Sequence, residues 1–145
     1  LNTVVRQIAF HEFETAVHDQ RRSGELTPDT IGDIWLSIQE KSLGPAIKLE
    51  RNYASFWSYI PHFIHSPFYV YAYAFGDCLV NSLYAVYQDS NEGFVGNYVE
   101  MLRAGGTLGH KELLKPFNLD ASDRNFWSKG LSMIEGFIDE LDNNK

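Results

Sequence analysis

Apolar side chains recur along this chain in steps of three and four residues, the spacing that places them on one face of an α-helix. One such stripe comprises Ile31, Ile34, Trp35 and Ile38. Another, nearer the start of the chain, comprises Val5, Ile8, Ala9, Phe13, Ala16 and Val17. A further stripe, near its end, comprises Trp127, Leu131, Ile134, Phe137, Ile138 and Leu141. This periodicity predicts an all-α fold, a helical bundle of about six helices.

Residues that begin and end helices lie between these stripes. Thr27-Pro28 combines a good N-cap with a proline suited to the first helical position, and Gly44-Pro45 ends the same helix. Proline again precedes a long apolar run, so we predict a helix from Pro67 to near Gln88. The segment Ser90-Asn91-Glu92 is predicted to begin the next helix.

Length and charge narrow the class of protein. The 145 residues suit one domain, and 12 Lys and Arg against 19 Asp and Glu give a net charge of −7. An acidic chain without clustered basic residues fits a nucleic-acid backbone poorly, so we expect no nucleic-acid partner.

The most apolar window of the sequence is residues 66–80, which is interrupted by Gly76 and Asp77 and too short to span a bilayer. We therefore predict a cytoplasmic protein without a membrane partner. From the length of the chain we expect residues 1–145 to form a single helical domain or fragment, and Leu1 in place of an initial methionine indicates a processed chain or a piece of a longer one.

Metal and nucleophile motifs are incomplete in this sequence. His11-Glu12 begins like the zinc motif HExxH, but Thr15 stands where the second histidine would be. His62 and His65 are three residues apart, without a third ligand nearby at metal spacing. The single cysteine, Cys78, lies in an apolar run, where a buried and unreactive thiol is expected. The residues alone therefore predict no metal site in this chain.

The most informative segment is WSYIPHFIHSPFYVYAYAFG, residues 57–76, which concentrates tyrosines and histidines. Its tyrosines alternate as in a strand, but the preceding proline and the length of the apolar run favour a helix. At about 100° per residue, Tyr69 and Tyr73 share a helix face, and Tyr71 projects almost opposite. Phenol and imidazolium groups are good donors to a carbonyl oxygen that becomes an oxyanion. The alternative is an aromatic core, in a non-catalytic all-helical binding or scaffold domain.

Four segments, in the same order, resemble oligoendopeptidase F, a branch of the thimet-oligopeptidase-like zinc metallopeptidases. They are RQIAFHEFE at residues 6–14, WSYIPHFIHSPFYVYAYAFG at 57–76, YVEMLRAGGTLGHKELLKPFNLD at 98–120 and, closest to the end, NFWSKGLSMIEGFIDEL. The resemblance covers nearly the whole chain, and its central segment is the most specific. It implies that the chain is the C-terminal, substrate-binding part of a larger, mostly helical, zincin-type peptidase.

The resemblance also implies roles for particular residues. The family holds zinc with HExxH and a downstream glutamate, which we expect in an N-terminal catalytic part of the same polypeptide. This chain alone is then expected to bind no zinc and to be inactive, while the parent protein hydrolyses oligopeptides. His62 is expected to hold or polarise the scissile peptide, and a tyrosine to donate to the oxyanion, ranked Tyr71, Tyr69, Tyr73. Further substrate-binding roles are expected of His65, Tyr73 and Tyr59.

The two interpretations differ in what a structure should show. In a peptidase fragment, His62 and at least one of the ranked tyrosines line a concave surface that faces water. In the scaffold alternative, the tyrosines are buried and hydrogen-bonded, and His62 lies outside any cleft. A fragment should also expose an apolar patch where the rest of the protein packs, through which the isolated chain could form an incidental dimer.

Overall fold

A computed structural model describes residues 2–89 and 92–144. In that part of the chain it contains seven α-helices, two 3-10 helices and no strand, which confirms the all-α class. The α-helices are α1 (Asn2–Arg21), α2 (Pro28–Leu43), α3 (His62–His65), α4 (Tyr71–Asp89), α5 (Phe94–Ala104), α6 (His110–Leu114) and α7 (Arg124–Asn143). The 3-10 helices are η1 (Arg51–Tyr59) and η2 (Lys115–Phe117). The chain divides into two compact units, Leu1–Phe75 and Gly76–Lys145.

The predicted boundaries of α2 are confirmed. The Thr27 side chain accepts a hydrogen bond from the Thr30 backbone N–H at 3.2 Å, and the helix begins at the following proline. Gly44 ends the helix with φ 71°, a conformation that glycine adopts without steric cost. Asp123 caps α7 in a similar way, accepting from the Asn125 N–H at 2.9 Å. These helix ends follow from side chains within a few residues of each boundary.

Other helix boundaries differ from the prediction. Residues 46–66, which the periodicity left unassigned, include η1 and α3. The long helix begins at Tyr71 rather than at Pro67, because the intervening backbone turns away from helical geometry. Ser90 and Asn91 lie outside the described residues, and α5 begins at Phe94.

Trp35 of α2 lies at the centre of the first unit and is completely buried. Its ring centroid is 5.5 Å from that of Phe10 and 5.1 Å from that of Phe13, both on α1. It also lies 5.8 Å from Tyr53 of η1 and 6.4 Å from Phe63 of α3. One side chain thus joins all four elements that precede α4, and this aromatic cluster is the base on which the α3 segment rests.

The buried face of α1 matches the predicted stripe in part: Ala9 and Phe13 are buried as predicted, and Val17 packs against the core. Its buried apolar residues are Val4, Ala9, Phe10 and Phe13. Val5 and Ile8, which the periodicity placed on the stripe, are exposed. Because apolar residues occupy neighbouring positions of α1, the sequence pattern is compatible with two different buried faces. The packing of Phe10 against Trp35 determines which of them is buried.

The second unit has a separate core. Its buried members are Leu83, Leu114, Phe117, Leu119 and Phe126. The buried hydroxyl of Ser82 donates to the Phe126 carbonyl oxygen at 2.9 Å and so joins α4 to α7. The predicted apolar stripe of α7 is largely exposed, at Leu131, Phe137, Ile138 and Leu141. The helix contacts its own unit through Phe126, Gly130 and, from the predicted stripe, Trp127.

Gly130 lies where α7 approaches the α4 backbone most closely. A Cβ atom at this position would be 2.6 Å from the Cys78 carbonyl oxygen and 3.1 Å from the Ser82 hydroxyl. Cys78 is itself buried, and this burial, reinforced by the neighbouring carboxylate of Asp77, raises the pKa of its thiol. The thiol therefore has little thiolate character at neutral pH, in agreement with the sequence prediction.

We expect Gly130→Ala to lower the free energy of unfolding by about 2 kcal/mol, because the added methyl group meets backbone atoms that cannot rotate away. The matched control is Gly136→Ala on the same helix, where no atom lies within 4 Å of the new Cβ. That change should raise the free energy of unfolding by about 0.5–1 kcal/mol through helix propensity alone. Urea denaturation followed by circular dichroism measures both. Equal effects of the two changes would contradict the close approach at Gly130.

Candidate active site

Three aromatic side chains of the first unit lie together: His62, Tyr69 and Tyr73. The Nε2 atom of His62 and the hydroxyl of Tyr73 form a hydrogen bond of 2.9 Å, in which the imidazole tautomer decides which group donates. The Tyr69 ring lies parallel to the His62 ring at a centroid distance of 6.0 Å, and meets the Tyr73 ring edge-on at 5.5 Å. Tyr69 and Tyr73 thus lie side by side, but they do not share a helix face as predicted, because Tyr69 precedes α4.

The backbone between α3 and α4 brings these rings together. Phe68 has a φ of 61°, in the left-handed region that costs a non-glycine residue about 1–3 kcal/mol. A helix cannot continue through this conformation, so Pro67 enters a turn and not the first turn of α4. Val70 then anchors the chain in the core, where it is completely buried. The turn places Tyr69 just before the helix and Tyr73 in its first turn.

The tyrosines of this segment are accessible to water. The exposed fraction is 51% for Tyr69, 54% for Tyr71 and 36% for Tyr73. An aromatic core, as in the scaffold alternative, would bury these side chains. Their exposure therefore argues against the aromatic core of the scaffold alternative.

An open cavity of about 340 Å³ adjoins the hydrogen-bonded pair. His62 and Tyr73 line one part of it, and Arg6 and Gln7 of α1 line another. The pair thus lies at the edge of a concave surface, as the peptidase interpretation requires. An imidazole, a phenol, a guanidinium and an amide around one cavity are donors suited to carbonyl and carboxylate oxygens.

Arg6 supplies the positive charge of this cavity. Its guanidinium lies 5.0 Å from the centre of the Phe10 ring, and its Nη2 atom donates to the Tyr59 hydroxyl at 2.5 Å. Burial raises the pKa of Tyr53, and the charge of Arg6 partly opposes that rise. The guanidinium is therefore held beside the cavity by an aromatic face and by one of the predicted substrate-binding tyrosines.

The remaining predicted site residues occupy other positions in the first unit. Tyr71 lies on the first turn of α4 beside a different histidine, with its ring centroid 6.2 Å from that of His11. His65 is exposed at the end of α3. Tyr59 is exposed at the end of η1, where it accepts from Arg6. The structure thus groups Tyr69 and Tyr73 with His62, and gives Tyr71 separate surroundings.

Two residues of α1 that carried no predicted role take part in this region. Arg6 lines the cavity, and Glu14 accepts a hydrogen bond from the backbone N–H of Phe68. Glu14 lies four residues after Phe10 and three before Val17, on an apolar face of the helix. A glutamate at such a position is a signal in the sequence, because charged side chains are rarely buried without a partner.

The resemblance implies a zinc site in an N-terminal part of the polypeptide rather than in this chain. Protein zinc sites take three or four side chains from histidine, cysteine, aspartate and glutamate. Across residues 2–89 and 92–144, no three such side chains lie close enough together to hold a metal ion. Among the described helices, none is both long and apolar enough to cross a membrane.

The second unit exposes an apolar groove of about 310 Å³ along α4 and α5. Its exposed lining residues are Val80, Tyr84, Tyr87, Val95 and Tyr98. Such a groove is the kind of surface expected where a further segment of protein packs. Dimerisation of the isolated chain stays a prediction.

Comparison with known proteins agrees with the resemblance seen in the sequence. The model of Peptidase family M3 matches residues 2–133. Oligopeptidase PepF of Bacillus subtilis (strain 168) is 29% identical over 141 residues, which cover 97% of this chain and 21% of that protein. An oligoendopeptidase F homolog of Borreliella burgdorferi is 32% identical over 142 residues, or 97% of this chain and 24% of that protein. The chain thus spans less than a quarter of the length of these relatives.

No solved structure gives a significant match to this chain. The family model nevertheless covers nearly all of it, including the α3–α4 segment with its histidine and tyrosines. The chain is also similar to oligoendopeptidases F along almost its entire length. We conclude from this coverage and similarity that the chain belongs to Peptidase family M3.

Proposed function

We propose that this chain is the substrate-binding part of a zinc metallopeptidase that hydrolyses oligopeptides. The zinc site and its general base would be supplied by an N-terminal part of the same polypeptide. The observation that supports this most is the exposed hydrogen bond between His62 and Tyr73 at the edge of an open cavity. The relatives named oligopeptidase and oligoendopeptidase F support a peptide as the substrate.

In this proposal His62 and Tyr73 act as one unit on the scissile carbonyl. When Nε2–H of His62 donates to the phenol oxygen, the phenol proton is free to donate to the substrate. A donor aimed at the carbonyl oxygen stabilises the negative charge that develops there in the transition state. Tyr69, parallel to the His62 ring, restricts the plane in which the imidazole can lie. Tyr71, which ranks first on the resemblance alone, is the alternative donor.

The surrounding residues would hold the peptide. Arg6 offers a fixed positive charge and several N–H donors, which suit backbone carbonyls and carboxylates of a peptide. Tyr59 keeps the guanidinium in place and presents an exposed ring beside it. His65, exposed one turn after His62, can reach a residue further along the peptide. Binding by several weak contacts positions the scissile bond without a deep pocket.

The proposal is tested by comparing three proteins: this chain alone, the complete polypeptide, and the complete polypeptide with His62→Ala. Each is incubated with a fluorescence-quenched oligopeptide, and its zinc content is measured by mass spectrometry. We expect the chain alone to cleave nothing and to hold less than one zinc per molecule. The complete polypeptide should cleave and bind zinc, and His62→Ala should keep the zinc and lose most of the cleavage.

Three outcomes would contradict the proposal. Cleavage together with stoichiometric zinc in the chain alone would show that it is a complete enzyme. Full activity of the His62→Ala variant would show that the α3–α4 segment is not part of the active site. A complete polypeptide that binds neither zinc nor peptide would favour the scaffold alternative.

A further inference from the structure

Glu14 of α1 is buried and has no part in the roles proposed above. Only 2% of its surface is exposed. Its Oε1 atom accepts a hydrogen bond from the Phe68 backbone N–H at 2.6 Å, and its Oε2 atom has no hydrogen-bond partner among the described residues. Burying a carboxylate is costly unless hydrogen bonds replace its water. This carboxylate is therefore directed at one backbone group, 54 residues further along the chain.

The group that Glu14 binds belongs to a residue in an unfavourable backbone conformation. Phe68 and Asn118 are the non-glycine residues of the described part with positive φ, and asparagine tolerates that conformation far better than phenylalanine. Two contacts from α1 hold Phe68. Glu14 binds its N–H, and His18, one helical turn later, packs against its ring at a centroid distance of 4.6 Å.

The conformation of Phe68 determines where the next side chain lies. Tyr69 follows it directly, and Val70 is fixed in the core, so the direction of Tyr69 depends on the dihedral angles of the turn. Its ring lies parallel to the His62 ring and edge-on to the Tyr73 ring. If Phe68 relaxed to an extended conformation, Tyr69 would leave that position while α4 remained intact.

We propose that Glu14 is a positioning residue: its hydrogen bond to the Phe68 N–H maintains the left-handed turn that places Tyr69 against His62. The effect on peptide hydrolysis rests on the function proposed above, whereas the effect on Tyr69 does not. A glutamate that merely stabilised α1 would influence the whole unit equally. A glutamate that holds the turn affects Tyr69 first.

The experiment places a fluorotyrosine at position 69 of the complete polypeptide and records its fluorine NMR signal. Glu14→Ala removes the acceptor, and Glu14→Asp withdraws it by one methylene group while keeping the charge. We expect both to move the signal towards that of a solvent-exposed fluorotyrosine. Glu14→Gln keeps a carbonyl oxygen at the same distance from the Phe68 N–H, so the Tyr69 signal should stay close to its native position. The Asp variant keeps the test decisive if the Ala variant fails to fold.

The matched control is Glu12→Ala, on the same helix. Glu12 forms an ion pair with Lys41 at 3.1 Å and is partly exposed, so its loss should leave the Tyr69 signal in place. In parallel, we expect Glu14→Ala to lower kcat by about 10- to 100-fold with KM, zinc content and helical circular dichroism unchanged. Glu14→Gln should recover most of this kcat.

An unmoved Tyr69 signal in both Glu14→Ala and Glu14→Asp would overturn the proposal. So would an equal displacement in Glu14→Gln and Glu14→Ala, because it would show that the hydrogen bond is not what holds the turn. If the signal moves as expected and kcat does not change, the positioning by Glu14 stands. In that case it is the proposed role of the His62 region in hydrolysis that fails.

Discussion

On the proposed function, replacing Tyr73 by phenylalanine in the complete polypeptide is expected to lower kcat by about 10²–10³-fold, the usual loss for one oxyanion donor. The change removes the oxygen that lies 2.9 Å from His62 Nε2 and keeps the ring that packs against Tyr69. KM should change little, because the lost interaction forms mainly in the transition state. Steady-state kinetics on a single oligopeptide, with zinc content measured alongside, check this expectation.

Tyr71→Phe is the matched control. It removes the same atom type from the same helix, at a residue whose exposure is greater and whose neighbour is His11. We expect its kcat to stay within a few-fold of the native value. The reverse order, with a large loss for Tyr71→Phe and none for Tyr73→Phe, would assign the donor to Tyr71. It would also contradict a catalytic role for the hydrogen bond between Tyr73 and His62.

Helix boundaries were predictable where their cause is local. The N-cap at Thr27 and the glycine end at Gly44 depend on side chains and dihedral angles within one turn of each boundary. The α2 stripe around Trp35 was predictable because Ile31, Ile34, Trp35 and Ile38 follow the helical spacing without a break, and all four belong to or pack against the core cluster. On α1 the pattern correctly included the buried Ala9 and Phe13 but also the exposed Val5 and Ile8. On α7 it correctly included Trp127, which packs against the second core, but most of the predicted stripe is exposed.

The start of α4 was not predictable from local signals. Pro67 suits the first turn of a helix, and no residue near it indicates that Phe68 would adopt a positive φ. The contacts that hold this conformation come from Glu14 and His18, about fifty residues earlier. A single sequence contains both partners but does not show that they meet.

The site shows the same division between local and distant causes. Helical spacing predicted that Tyr69 and Tyr73 share a helix face, whereas their rings meet because the turn before α4 brings Tyr69 beside the first turn of the helix. The approach of α1, which brings Arg6 to the cavity, required the packing of the whole first unit. The resemblance identified the α1 motif as a family feature but implied no role for Arg6 or Glu14. Their contacts with the α3–α4 region supply one.

Trp35→Ala is expected to lower the free energy of unfolding by about 3–5 kcal/mol, the range for removing a fully buried large aromatic side chain. The structure supports this range, because four aromatic rings surround the fully buried indole and its removal leaves a cavity among them. Denaturation by urea, with the midpoint and slope both fitted, measures the loss.

Trp57→Ala provides the comparison within the same unit. Trp57 is partly exposed at the edge of the cluster, 6.3 Å from the Phe13 ring, so its loss should cost about 1 kcal/mol. Equal losses of unfolding free energy for the two tryptophan variants would show that the cluster is not centred on Trp35.

The Trp35 variant should also affect the candidate site. Because Phe63 packs on Trp35 and directly follows His62, the His62–Tyr73 hydrogen bond should be disturbed before the unit unfolds. The stability of this core and the geometry of the candidate site therefore depend on the same contacts.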